Sequence, residues 1–139
     1  MLRGLTTVSY WADDLEPAKA WYSELLGIAP YFEVPGEDGR AAYAEFRLGD
    51  YQHELGLIAR RYAPEGTSTT PGGVVVYWHV DDVEAALARL LDMGATQHEA
   101  PRDRGEKFIT ATVIDPFGNI LGIMENPHYL EVLRSRGAA

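Results

Sequence analysis

Apolar and polar positions along this chain follow two rhythms, a helical one and a strand one, and the rhythms change at matching places in its two halves. Ala18, Trp21, Tyr22 and Leu25 fall at the i, i+3, i+4, i+7 spacing of one buried helical face. Asp14 stands before that run as an N-cap, and Gly27 follows it as a stop. Val83, Ala86, Leu87 and Leu90 repeat the arrangement, with Asp82 as cap and Gly94 as stop. Period-two stretches predict strands over residues 5–11, 31–34, 41–48 and 53–59, then 74–80, 96–99, 107–114 and 119–125.

The two halves are copies. "DDLEPAKA" begins at Asp13 and "DDVEAALA" at Asp81, 68 positions on, while "ELGLI" at Glu54 matches "ILGIM" at Ile120, 66 positions on. A long period occurring twice predicts a duplicated unit of strand, helix and three strands. The expected organisation is one domain, with a first module over about residues 1–60, a Pro/Gly/Ser/Thr linker over about 61–73, a second module over about 74–126 and a C-terminal extension over 127–139. In that extension Tyr129, Leu130 and Leu133 predict a short helix.

Successive strand residues point to opposite faces, so the alternation also sorts side chains. Val8, Tyr10, Ala44, Phe46, Leu55 and Leu57 form the apolar face expected under a helix. The opposite face collects Thr7, Ser9, Trp11, Tyr43, Glu45, Arg47, Glu54 and Gly56 in the first copy, and Val75, Tyr77, His79, Thr110, Thr112, Gly122 and Met124 in the second. That mixture suits a ligand cavity better than a dry core, and these are the candidate ligand-binding residues. Trp11, Tyr43 and Tyr77 offer flat contact surfaces, while Glu45, Arg47 and His79 offer polar orientation. His53, His98 and His128 are expected on outer faces or loops.

Bulk properties narrow the function. A chain of 139 residues with 46% hydrophobic content affords one real core. Twelve Lys and Arg against 21 Asp and Glu give a net charge of −9, which argues against nucleic acid and anionic membrane surfaces as partners. The absence of cysteine removes thiolate catalysis, disulfides and zinc fingers. The opening "MLRGLTTVSYWADD" lacks a sustained apolar segment, and no run approaches the ~20 residues needed to span a bilayer, so a cytoplasmic location is expected.

The motifs "DDLEPAKAWYSELLG", "VDDVEAALARLLDMGA" and "DPFGNILGI", in this order and within an internal repeat, resemble the vicinal oxygen chelate superfamily of glyoxalases, bleomycin resistance proteins and dioxygenases. The resemblance implies an α+β fold of two tandem βαβββ modules whose curved mixed sheets enclose a cavity. It also implies a homodimer. Members that use a metal place a ligand on the first and fourth strands of each module, and the matching positions here are Thr7, Gly56, Val75 and Gly122. None supplies an imidazole or a carboxylate, so no metal and no other cofactor is expected. Glu54 and His79, each two to four residues from those positions, leave open a displaced site assisted by Glu45 or water.

Two local features also keep alternatives. Glycine inside a strand marks either a packing constraint or room for a ligand, and Gly56 and Gly122 are equivalent in the repeat. "PRDRGEKF", with Arg102, Arg104 and Lys107, is either a solvated loop or a lid over an anionic ligand. "DPFGN" predicts a tight turn in which Gly118 takes positive φ. The resulting expectation is a metal-independent protein that binds or sequesters a small, possibly aromatic molecule, as bleomycin resistance proteins do. The alternatives are a lyase, isomerase or dioxygenase with a non-standard site using Glu45, Glu54 or His79, and an interaction module with an incidental cavity.

Overall fold

The computed structural model describes residues 1–137 and divides into two compact units, Met1–Thr67 and Ser68–Ala139. The first unit contains β1 (Thr7–Ala12), α1 (Leu15–Leu26), β2 (Phe32–Pro35), β3 (Ala41–Leu48) and β4 (His53–Ala59), followed by a 3-10 turn over Arg60–Tyr62. Its sheet runs β1-β4-β3-β2, with β1 parallel to β4 and the other pairs antiparallel. The second unit repeats this as β5 (Tyr77–His79), α2 (Val83–Asp92), β6 (Thr96–Asp103), β7 (Ile109–Ile114) and β8 (Ile120–Glu125), in the order β5-β8-β7-β6. It ends in α3 (Pro127–Ser135); Ala138 and Ala139, the end of the predicted C-terminal extension, lie outside the described residues. Each four-stranded sheet is mixed and open.

Helix ends follow the predicted chemistry. The Asp14 carboxylate accepts the Glu16 N–H at 3.2 Å, and Gly27, at φ 71°, closes α1 by donating its N–H to the Ser23 carbonyl. Asp82 accepts the Ala85 N–H at 3.0 Å at the head of α2. Asn126 does the same for Tyr129 at the head of α3, where Pro127 occupies the first turn.

α1 and α2 each cover one face of their own sheet. Ala18 and Tyr22 of α1 are fully buried with Ala44, Phe46, Leu55 and Leu57, and the Tyr22 ring stacks on Tyr10 at 5.8 Å between centroids. A buried Phe46 alone is worth roughly 1.5–3 kcal/mol relative to exposure. Val83, Leu87 and Leu90 of α2 are buried in the second unit together with Ala111, Val113, Leu121 and Ile123.

Strand bounds depart from the sequence reading at six strands: β2 is shifted by one residue, β8 starts one residue late, β7 starts at Ile109 instead of Lys107, and β1, β5 and β6 differ as well. The strand expected from residue 5 begins at Thr7, and Leu5 is exposed. The strand expected over 74–80 is regular only over Tyr77–His79, so Val75 precedes it. The strand expected over 96–99 continues to Asp103 through two register shifts, taking in part of the predicted basic loop. The "DPFGN" turn forms as expected: Gly118 sits at φ 94°, and the buried Asp115 carboxylate accepts the N–H groups of Phe117 and Asn119 at 2.9 and 2.8 Å.

Candidate functional site

The sheet of the first unit turns Val8, Tyr10, Phe46, Leu55 and Leu57 toward α1 and leaves its other face open. In-register pairing places Thr7 beside Glu54, Ser9 beside Gly56, Glu45 beside Gly56 and Arg47 beside Glu54, so the candidates Thr7, Ser9, Trp11, Tyr43, Glu45, Arg47, Glu54 and Gly56 share that open face. Phe32 and Val34 join them from β2, paired with Glu45 and Tyr43, and both are exposed.

A connected set of polar contacts lies across this face. Thr7 Oγ1 donates to Glu54 Oε1 at 3.1 Å, and the Tyr43 hydroxyl donates to Glu45 Oε1 at 2.5 Å. Arg47 donates to the Tyr31 hydroxyl at 3.0 Å, lies over the Tyr31 ring at 4.6 Å, and keeps Nη2 3.9 Å from Glu54. Burial, then the Glu54 charge and a side-chain hydrogen bond with Glu54, hold the Glu45 carboxyl above the usual carboxylate range against the opposing pull of Arg47. Burial and the same Glu54 charge raise the Tyr43 hydroxyl, so Tyr43 stays a proton donor. The face thus offers a carboxyl held above its ordinary range, a second carboxylate and a guanidinium on the same side of the sheet as Trp11, Phe32 and Tyr43.

The two strand glycines answer differently from open ligand room. A Cβ on Gly56 would lie 2.7 Å from the Tyr43 hydroxyl, so the chain's own tyrosine lies over that glycine. At Gly122 a Cβ would meet the Val76 carbonyl at 2.6 Å and the Tyr77 ring at 2.8 Å. Neither has positive φ; close approach by a neighbour explains both.

In the second unit Tyr77, His79, Thr110, Thr112, Gly122 and Met124 share one face by register, while Val75 lies outside the ladder. The two threonines are buried and engaged: Thr110 Oγ1 accepts Arg104 Nε at 3.1 Å, and Thr112 Oγ1 lies 2.8 Å from His98 Nδ1. His98 is exposed on β6, as expected of an outer histidine, and its Nδ1 also reaches the buried Thr112 hydroxyl. Arg104, expected in a loop or lid, also binds Glu99 at 3.0 Å, and Arg102 pairs with Thr110 within the β6–β7 ladder. His53 sits at the head of β4 near the Tyr51 ring, and His128 is exposed at 3.9 Å from Glu131.

His79 takes the Asn126 N–H on Nδ1 at 3.3 Å and stacks on the Tyr129 ring at 4.5 Å. Sequence reasoning missed Tyr31, Phe32 and Val34 on the first unit's open face, and it did not foresee the contacts of His98 with Thr112 and of Arg104 with Thr110. The alternation in "YFEV" carried the signal for Phe32 and Val34; the bulges of β6 hid the threonine partners of His98 and Arg104.

The donor set does not fit the divalent metal of the metal-using relatives. Thr7 gives its hydroxyl to Glu54, Gly56 and Gly122 have no side chain, and Val75 is apolar. Among the described residues no group of three or more His, Cys, Asp or Glu side chains is placed to hold a metal ion. No helix among them is long and apolar enough to cross a membrane.

Comparison with known proteins agrees with this architecture. An uncharacterized protein of Mycobacterium bovis is 32% identical over 114 residues, covering 77% of this chain and 73% of the relative. A Mycobacterium tuberculosis relative matches at the same identity, and the match spans 65% of that relative's length. Among solved structures, TnmS3, an antibiotic binding protein from Streptomyces sp. CB03234, superposes with a TM-score of 0.66 at 25% identity, covering 89% of this chain and 96% of that one. A glyoxalase-related enzyme from Fulvimarina pelagi shares the fold with a TM-score of 0.69 at 20% identity, over 91% and 90% of the two chains. The family model for the Glyoxalase/Bleomycin resistance protein/Dioxygenase superfamily matches residues 4–123, and the chain belongs to that superfamily.

Proposed function

We propose that this protein binds a small aromatic or amphipathic molecule without a metal, as a sequestering protein of the bleomycin resistance type. The observation that carries the reading is the open face of the first unit, where Trp11, Phe32 and Tyr43 share one side of the sheet with Glu45, Glu54 and Arg47, in place of a metal-ligand set. Flat rings supply contact area, and the charged groups fix orientation. Likeness to an antibiotic binding protein at 25% identity supports the same direction. A homodimer and a cytoplasmic location go with this reading.

The test is equilibrium titration of the full chain with a panel of planar natural products, bleomycin among them, followed by tryptophan fluorescence. Saturable binding that is lost in Trp11→Ala and in Glu45→Ala supports the reading. Binding indifferent to both substitutions contradicts it.

A second reading, metal-independent lyase or isomerase chemistry, draws on one observation: the Glu45 carboxyl is held above its usual range beside the Glu54 carboxylate, an arrangement that suits a general acid. Turnover abolished in Glu45→Gln, with ligand affinity kept, is the result that selects it.

A further inference from the structure

We infer that Lys19 and Arg61 are positioning residues for the open face of the first unit: together they hold the β2–β3 hairpin where Phe32 stands among the binding residues. The inference rests on the binding reading above and identifies what fixes one edge of that face.

β2 is the outer strand in the order β1-β4-β3-β2, and all four of its residues are exposed. Its pairing with β3 slips between Val34 and Pro35. A strand paired along one edge and buried nowhere belongs to the least stable part of a fold, so side-chain ties decide where it rests. Alternation sends Phe32 and Val34 to the open face, where the Phe32 ring meets Tyr43 edge-on at 6.4 Å between centroids. The same alternation sends Glu33 to the other side, under α1.

The first tie is made there. Lys19 Nζ, on α1, lies 2.6 Å from Glu33 Oε1 and 3.1 Å from Glu16 Oε1, on a side chain only 18% exposed. The hydrogen bond to Glu33 is the largest of the influences that raise the Lys19 ammonium above its ordinary range. The second tie comes from the 3-10 turn that follows β4. Arg61 Nη2 donates to Asp38 Oδ1 at 3.3 Å at the tip of the hairpin, where Asp38 also accepts the Arg40 backbone N–H and Nε, both at 3.0 Å. Arg61 and Tyr62 lie so close over Gly36 that a Cβ there would stand 2.7 Å from the Tyr62 hydroxyl and 3.0 Å from Arg61 Nη2. Arg60 fixes the turn in its own place by donating to Asp13 at 3.0 Å, beside the head of α1.

The ties thus grip the hairpin at the middle of β2 and at its tip. Their bonds go to Glu16, Glu33 and Asp38, none of which belongs to the open face, so Lys19 and Arg61 act through Phe32 and not on a ligand. Partly exposed ion pairs of this kind shift an equilibrium by up to about fivefold each.

The experiment uses the full chain labelled with 4-fluorophenylalanine, with the Phe32 19F signal assigned by its loss in Phe32→Leu. Lys19→Gln and Glu33→Gln, which cut the same pair from its two sides, are expected to move that signal alike and to speed hydrogen exchange across β2 by up to about fivefold. Lys19→Arg keeps the charge and restores both. Arg61→Gln moves the signal independently, and Gly36→Ala reproduces it by pushing Arg61 and Tyr62 away. Bleomycin supplies the second arm: its affinity falls by up to about fivefold in Lys19→Gln and falls no further when Phe32→Ala has already removed the ring. An unmoved Phe32 signal, a shift that Lys19→Arg fails to reverse, or equal weakening of bleomycin with and without the Phe32 ring overturns the inference. A parent chain that does not bind bleomycin counts against the functional reading alone, because the 19F arm needs no ligand and decides the positioning role by itself.

Discussion

Gly122 and Gly56 occupy equivalent strand positions, yet their neighbours differ in how far they can yield. Gly122→Ala drives a methyl into the Val76 carbonyl, part of the backbone that also receives the Gly122 N–H at 3.0 Å. Gly56→Ala meets the far end of the Tyr43 side chain, which can swing. Gly122→Ala is therefore expected to cost about 1–3 kcal/mol as overpacking, and Gly56→Ala distinctly less, by chemical denaturation. Equal costs would show that the Tyr43 ring is as rigidly held as backbone. Glu45 gives a second prediction at this scale. Because its folded carboxyl lies above the ordinary range, the folded chain holds that proton more tightly than the unfolded one, so its stabilisation is full in acid and is lost as pH rises through the raised folded value. Glu45→Gln should then raise the melting temperature at neutral pH, with the gain vanishing as pH falls below the ordinary glutamate range of about 4.3. Thr7, Tyr43, Glu45 and Glu54 were placed on one face by parity alone; that Tyr43 lies over Gly56 needed the rotamer, which no alternation encodes.

Elements with strong periodicity and explicit caps were legible. Asp14, Asp82 and Gly27 each do at the helix ends what their residue types predict, and β3 and β4 run over the expected residues. The misread strands share a physical cause. Apolar content in "GGVVVYWHV" suggested a long β5, but Val74 stays exposed beyond the glycines and regular pairing with β8 starts only at Tyr77. The strand expected over 96–99 stops before "PRDRGEKF", expected as a loop or lid, but β6 continues through two bulges that no periodic pattern announces. α3 depends on its cap: Asn126 accepts the Tyr129 N–H through its side chain and gives its own N–H to His79. Asn126→Ala removes the side-chain cap and the weak Nδ2 contact to Met124 Sδ at 3.8 Å, keeps the backbone N–H to His79, and should cost about 1 kcal/mol. Hydrogen exchange is expected to show lost protection through α3 while α1 is unchanged. Unaltered protection in α3 would mean that Leu133 packing, not the cap, holds the helix.

For the whole molecule, the duplicated pattern at offsets of 68 and 66 residues already specified two like units, and the matching strand orders bear that out. Activity was less legible, because the superfamily's fold is shared by proteins with different chemistry and the residues at its metal positions are silent here. The exposed rings of Tyr31 and Phe32 and the exposed Val34 on β2 favour a homodimer, expected as twice the 15.4 kDa chain mass by light scattering; a monomer at micromolar concentration would contradict it. The central claim, metal-independent capture of a small aromatic molecule on the Trp11–Tyr43–Glu45 face, is tested most directly by native mass spectrometry of chelator-treated protein with the natural-product panel. The account predicts a ligand complex that survives chelation and disappears in Trp11→Ala. A complex that forms only after a divalent metal is restored would contradict it.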